Sequence, residues 1–485
     1  MDTTQSHPSR REFIKEIGLG AAAITATGLK AGGDDKPKRR PNIVWLVADD
    51  QRFNTIRALG NNEIFTPALD LIVRDGTSFT RAYNMGAMHG AVCMPSRAMF
   101  MSSRTIFHLT DNGYTIPATD ILLPEFLQEQ GYVTFGAGKW HNSKSSFSRS
   151  FQTGKNVFFG GMFSNQRRCN VCDKKTGSPA HPKNEPDRKN HDFTEQHNVE
   201  QFSTELFADT AIEFLKTYKG GNPFFLYTAF TSPHDPRTPP KEFADLYDPT
   251  KISLPANFLP RHPFDNGEMT IRDEKLAPWP RTPEAVKRHL ADYYGMISHL
   301  DAQVGRILGA LKDAGHADDT LVVYSADHGL AVGQHGLMGK QNLYDHSIHV
   351  PLLMQGPGIP KGERRDGFCY LLDIAPSLCE LLGLEPPKSM EGRSFAKCLD
   401  SPAHKLRQST FHAYCDFQRS VQDEKFKLIE YSVGGKQTTQ LFDMQSDPLE
   451  ITNLSEDAQR AAELARLRSD LKNWKKDLGD NSHTD

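Results

Sequence analysis

Ile43-Val44-Trp45-Leu46-Val47-Ala48 runs without a charged or hydrophilic side chain straight into Asp49-Asp50. A segment that is apolar at consecutive rather than alternate positions leaves no face for water, so it suits a strand covered on both sides, as in a parallel sheet. The pattern recurs at Tyr132 to Ala137 before Gly138-Lys139-Trp140-His141, at Phe224 to Phe230 before Ser232-Pro233-His234, and at Leu321 to Ala326 before Asp327-His328-Gly329. Between these runs lie amphipathic helical stretches. In Pro283 to Ala314, Leu290, Tyr293, Ile297, Leu300, Val304, Ile307 and Leu311 recur at helical spacing, with Thr282 as cap, Pro283 at the first helical position and Gly315 as the stop. Alternating strands and helices predict an α/β fold with a mostly parallel sheet flanked by helices. Such sheets bind ligands at the carboxyl ends of their strands. The polar clusters are therefore expected in one place, where two or three acids with nitrogen and oxygen donors would suit a hard divalent cation such as calcium or magnesium.

The chain has 485 residues, a length typical of about two to three domains. Its 57 Lys and Arg against 60 Asp and Glu leave a net charge of −3. No charge excess of the kind that draws a protein onto nucleic acid is present. Mean hydropathy is −0.55, and no apolar run approaches the ~20 residues that span a bilayer. Seven cysteines are too few and odd in number for a disulfide-built scaffold. At the start, Arg10-Arg11 precede a weakly apolar stretch from Ile17 to Leu29 and then Lys36, Lys38, Arg39 and Arg40. This resembles a twin-arginine export signal, the alternative being a short basic amphipathic helix. Past Phe395, the alternation from Ser420 to Tyr431, the Gly434-Gly435 turn and Gln440-Leu441-Phe442-Asp443 read as antiparallel strands. Leu464, Leu467, Leu471, Trp474 and Leu478 then mark an amphipathic helix docked on the protein.

Cys93-Met94-Pro95-Ser96-Arg97 carries the most specific signal. A lone cysteine is ordinarily a buried apolar residue, but this pentapeptide matches the C-x-P-S-R core of the type I sulfatases, and Arg104 falls at a basic position of their longer motif. The chain resembles a formylglycine-dependent sulfatase of the alkaline phosphatase superfamily. Leu441-Phe442-Asp443-Met444, Asp447-Pro448 and Glu450 to Leu454 also look like that family's closing segment. One departure is visible: Ser102-Ser103 stands where the family usually has Thr-Gly. The resemblance implies that Cys93 becomes formylglycine, made by a maturation enzyme, and that the aldehyde hydrate supplies the nucleophilic oxygen. A sulfated hydrate can expel sulfate as the aldehyde re-forms, whereas a sulfated serine would be trapped. It further implies one calcium ion held by Asp49, Asp50, residue 93, Asp327 and His328. Arg97 and Lys139 would hold the hydrate and the sulfate oxygens. His141 would take the proton that starts collapse, and His234 and Lys340 would protonate the leaving alcohol. Lys340 is placed by Gly339-Lys340 alone, with His335, His346 and His349 as alternatives.

Between His141 and Asp192 stand ten Lys or Arg (Lys144, Arg149, Lys155, Arg167, Arg168, Lys174, Lys175, Lys183, Arg188, Lys189) against four acids, a local net of +6. This is either a solvated loop or an electropositive rim that gathers polyanionic sulfated glycans. Cys169-Asn170-Val171-Cys172 within it reads as a disulfide or two free thiols sooner than as a zinc site. The sequence thus predicts an export leader and linker over residues 1–40, a catalytic sulfatase domain over 41–400, and a smaller α+β subdomain over 401–485. The expected function is a periplasmic or extracellular sulfatase acting on sulfated carbohydrates, with no membrane insertion. A phosphodiester or phosphonate hydrolase on the same scaffold and a catalytically silent sulfoglycan-binding protein are the competing readings.

Overall fold

The computed structural model describes residues 40–163, 166–175 and 192–482. The paired-arginine leader lies outside the described residues, as do Lys183, Arg188 and Lys189 of the basic segment. A ten-stranded sheet forms the centre of the molecule. Its middle consists of adjacent parallel strands in the order Thr320–Ala326, Asn42–Ala48, Phe224–Ala229, Val133–Lys139 and Thr153–Phe158. Toward the edges the sheet turns antiparallel, through Leu352–Gln355 on one side and Cys169–Lys174 on the other. The four apolar runs are thus neighbouring parallel strands, and their polar ends emerge along one edge.

Every residue of Asn42–Ala48 and of Thr320–Ala326 is buried, which is why both could be recognised as uninterrupted apolar runs. Each fully buried Val, Leu or Ile contributes roughly 1.5–3 kcal/mol. Trp45 spends its one donor on Ser325 Oγ at 3.0 Å and packs edge-on against Tyr227. The long helix covers Pro283–Asp313 with all seven of its periodic apolar residues buried. The Thr282 side chain accepts from the Ala285 N–H at 3.2 Å. The same helix carries Asp301, whose two carboxyl oxygens accept from the Ala68 and Leu69 N–H groups at 3.1 and 2.8 Å and so serve the start of helix Pro67–Asp75.

The C-terminal sheet has five strands, ordered Lys436–Asp443, Phe426–Val433, Gln418–Asp423, Ser409–Tyr414 and Gly86–Ala87. The alternating stretch from Ser420 to Tyr431 spans parts of two antiparallel strands. Asp423 Oδ1 accepts from the Lys425 and Phe426 N–H groups at 2.8 and 2.7 Å and so makes a turn there. The turn at Gly434-Gly435 is present, with φ of +57° and +78°. Helix Ala461–Leu478 buries Leu467, Leu471 and Leu478, and Trp474 donates to Ser409 Oγ at 2.9 Å. Gly86–Ala87 pairs parallel with Ala413–Tyr414, so the segment leading to Cys93 is itself an edge of the C-terminal sheet. Only glycine fits at position 86, because φ is +109° and a Cβ would lie 1.9 Å from the Ala413 carbonyl oxygen.

Candidate active site

Cys93 is the first residue of helix Cys93–Ser102, all of it buried. Its start is fixed from another strand end: Asn142 donates through Nδ2 to the Met94 carbonyl at 3.0 Å. Around the Cys93 Sγ stand Asp49 Oδ1 at 3.2 Å, Asp50 Oδ1 at 3.6 Å and Lys340 Nζ at 2.9 Å. Lys340 also donates to both oxygens of Asp50 at 2.7 and 2.8 Å. Its loop is held by Glu274, which accepts from the Met338 and Gly339 N–H groups and is ion-paired with Arg281 at 2.5 Å. Of the alternatives to Lys340, His335 stacks on Tyr344 and His349 on Phe53 and Tyr83, while His346 lines a separate cavity.

Lys139 ends its strand with the ammonium on Asp49 Oδ2. Arg97 reaches Asp327 Oδ2 through Nε at 2.9 Å and the Lys139 carbonyl through Nη1 at 2.7 Å, leaving Nη2 buried without a hydrogen-bond partner. His234 Nδ1 is 2.9 Å from the Asp235 carbonyl oxygen and 3.3 Å from Asp235 Oδ1, so Nδ1 carries a proton and Nε2, 3.5 Å from Asp50 Oδ2, faces the cluster. His141 sits at φ +68° with Nδ1 buried and unpartnered.

Ligand atoms of Asp49, Asp50, Cys93 and His234 lie within 4.8 Å of one another. Asp327 and His328 emerge beside them from the adjacent strand but fall outside that set. Asp327 gives one oxygen to Arg97 and the other to the Asp50 N–H at 3.1 Å. His328 donates from Nδ1 to the Gly329 carbonyl at 2.6 Å, which leaves the lone pair on Nε2. Burial raises the Asp49 carboxyl, but Lys139, His234 and Arg97 outweigh it and hold it well below the carboxylate range. Asp327 is pushed up to about 6 by burial and by Asp49. The Cys93 thiol is driven well above its usual value by burial, Asp327 and Asp49, so as encoded it stays protonated. Burial, with Lys139 and Arg97, keeps His141 neutral.

Three carboxylates and three cations thus converge on residue 93 in a water-poor pocket, with an Arg97 N–H still free to bind. Three supporting contacts escaped sequence reasoning. Asp235 is held by Arg272, whose Nη2 is 3.0 Å from Oδ1, and Asn84 and Ser96 anchor the Asp327 carbonyl at 2.8 and 2.7 Å. The partners are far apart in the chain, and of these residues only Ser96 stood in a short motif, Cys93 to Arg97, without its partner being visible.

Residues 41–384 match the sulfatase family, and residues 333–477 match the C-terminal region of N-sulphoglucosamine sulphohydrolase. The chain belongs to the sulfatase family, whose members are sulfuric ester hydrolases of alkaline phosphatase-like fold. Among its relatives, an N-acetylglucosamine-6-O-sulfatase of Bacteroides thetaiotaomicron is 24% identical, over 91% of this chain and 88% of that protein. Human arylsulfatase K is 26% identical over 90% and 84%, respectively. A solved structure in complex with its substrate D-glucosamine-2-N,6-O-disulfate superposes with a TM-score of 0.74 at 22% identity, covering 91% of this chain and 99% of the other. The phosphonate monoester hydrolase of Agrobacterium radiobacter superposes with a TM-score of 0.71 at 22% identity, over 90% and 96%.

Proposed function

We propose that this sulfatase removes sulfate from carbohydrates, with residue 93 as the nucleophile after conversion of its thiol to formylglycine and with one calcium ion at the strand ends. The observation that carries the mechanism is the position of Cys93, at a helix start between two aspartates and beside the ammonium of Lys340. Asp49, Asp50, residue 93, Asp327 and His328 would hold the cation. The donor set is mainly hard oxygen, which fits calcium better than a soft metal. When bound, the ion supplies charge neutralisation for a sulfate oxygen, and the aldehyde hydrate supplies a hydroxyl that can release sulfate afterwards.

The remaining chemistry belongs to the chain's own side chains. Arg97 binds a sulfate oxygen through its unpartnered Nη2, and Lys139 neutralises charge beside it. His141, held neutral, accepts the proton from the second hydroxyl of residue 93. His234 and Lys340 face the bridging oxygen and return a proton to the leaving alcohol. The names of the relatives, a glucosamine-type sulfatase and an ulvan-active sulfatase of Formosa agariphila among them, support a carbohydrate substrate. The paired arginines support export to the periplasm or beyond, and the Cys93-x-Pro95-x-Arg97 core supports modification by a formylglycine-generating enzyme. The similarity to a phosphonate monoester hydrolase favours a second reading, phosphonate or phosphodiester hydrolysis on the same scaffold.

Mass spectrometry of active protein should find the Cys93 thiol replaced by an aldehyde or its hydrate, and Cys93→Ala should abolish turnover with the fold intact. Full activity with an unmodified thiol would refute the mechanism. Asp50→Asn should lower both bound calcium, measured by elemental analysis, and rate by at least about tenfold. Retention of full rate after exhaustive chelation would remove calcium from the scheme. A sulfate monosaccharide turned over more slowly than a phosphonate monoester would favour the second reading.

A further inference from the structure

None of the residues gathered around Cys93 borders a second cavity of about 740 Å³, which lies beyond Arg52. That volume is within the range of small-ligand sites. Arg52 is 2% exposed, and its Nε and Nη1 are buried without a hydrogen-bond partner. Its guanidinium lies 5.3 Å from the centre of the Tyr293 ring and has no carboxylate partner among the described residues. A buried cation with idle donors is costly unless something pairs with it. The acids around the cavity do not serve. Asp345 and Glu450 share Lys427 at 2.8 and 2.6 Å, Glu424 is paired with Lys405, and Glu63 accepts from the Ser253 N–H at 2.9 Å. His346, which also lines the cavity, has both ring nitrogens buried and unpartnered. Burial, with His335 and Arg52, keeps its imidazole neutral, so it offers one donor and one acceptor.

The rest of the lining fits a polyhydroxylated body. Amides come from Asn54, Asn62, Asn257 and Gln422, and aromatic faces from Phe53 and Tyr294. We propose that this cavity is a second binding site, separate from the catalytic one, for an acidic saccharide whose carboxylate or sulfate seats on the Arg52 guanidinium and whose hydroxyls meet His346 and the amides. A guanidinium fork takes two oxygens of either anion at once, so both sources share one chemistry. The inference does not depend on the substrate reading above, because it concerns binding without turnover.

The test is calorimetric titration of full-length Cys93→Ala protein with D-glucuronate, D-glucose 6-sulfate and uncharged D-glucose. Saturable binding of glucuronate or glucose 6-sulfate is expected, glucose giving none. The arm that saturates identifies carboxylate or sulfate as the anion. Arg52→Gln in the same background should weaken that binding by about tenfold or more. A glucose 6-sulfate signal that survives Arg52→Gln but disappears with Arg97→Gln would belong to the catalytic pocket and count against the proposal. If Arg52→Gln does not fold, His346→Leu is read in the same way. Equal affinity in parent and variant, or no saturation by either anion up to about 50 mM, overturns the site.

Discussion

Ser103 stands where related sulfatases usually carry glycine, and its backbone shows why glycine is favoured. Helix Cys93–Ser102 ends there in the left-handed conformation, at φ +57° and ψ +30°, which costs a residue with a Cβ about 1–2 kcal/mol. The serine offsets that strain with its hydroxyl, which donates to the Leu372 carbonyl at 2.7 Å and accepts from the Gly392 N–H at 3.0 Å. Each such bond contributes roughly 1 kcal/mol. Ser103→Ala keeps the strain and loses both bonds, so it should lower unfolding free energy by about 2 kcal/mol. Ser103→Gly loses the bonds but relieves the strain and should stay within about 1 kcal/mol of the parent. Urea denaturation at neutral pH separates the two, and an alanine variant as stable as the parent would contradict the compensation. The glycine expectation came from the family motif, but the compensation was invisible in sequence because Leu372 and Gly392 lie far along the chain.

At the scale of elements, the basic segment shows what counting charges misses. A net of +6 reads as one solvated rim, yet the structure divides it. Arg149 is buried, paired with Glu125 and bonded to the carbonyls of Ile116, Pro117 and Asp120 at 3.1–3.2 Å. Lys174 is buried on strand Cys169–Lys174 and donates to the Ser148 and Phe151 carbonyls, with burial pushing its pKa down to about 8. Cys169 and Cys172 are free thiols, three residues apart and so on opposite faces of the strand. Arg167, Arg168 and Lys175 remain exposed. Neutralising Arg168 and Lys175 together should raise KM for multiply sulfated oligosaccharides several-fold at low salt and leave Tm unchanged, with the effect fading as salt shortens the ~8 Å range of attraction. Lys174→Met should do the reverse, costing about 1–3 kcal/mol of stability through its orphaned carbonyls without a change in KM. Steady-state kinetics beside thermal melts checks both, and a KM effect confined to Lys174→Met would reverse the assignment.

For the whole molecule, legibility followed the range of the forces. The four central strands could be read because burial on both faces leaves a local mark, and their parallel packing then brought Asp49, Asp50, Lys139, His234 and Asp327 to one edge. Strand Thr77–Phe79 and the edge strand Glu363–Arg365 are three residues each and carry no such mark, since they exist through pairing with each other and, for Thr77–Phe79, with Leu352–Gln355. Buried titratable groups are equally silent in sequence, and they set the acid limit of the fold. Burial holds His262 at about 4 and His335 and His412 at about 3. A depressed base must gain its proton on unfolding, so the stability it carries is complete above about pH 6.5 and is lost as pH falls toward the folded value, at about 1.4 kcal/mol per pH unit. Asp301 acts oppositely: burial raises it to about 8, so the folded chain keeps a proton that the unfolded chain releases, and it cancels roughly one of the three slopes in this window. The net expectation is a loss of about 3 kcal/mol per pH unit below pH ~5.5 from these four groups. His412 isolates one contribution. Its Nδ1 donates to the Asn84 carbonyl at 2.8 Å and its Nε2 accepts from Thr410 Oγ1 at 3.1 Å, with Lys427 and Asp345 as the neighbouring charges. His412→Asn should cost stability at pH 7, and the gap to the parent should close by about 2 kcal/mol at pH 5, because only the parent's unfolded state gains that proton. Urea unfolding at both values measures the gap, and one that does not change with pH would show that His412 titrates alike in the folded and unfolded chains.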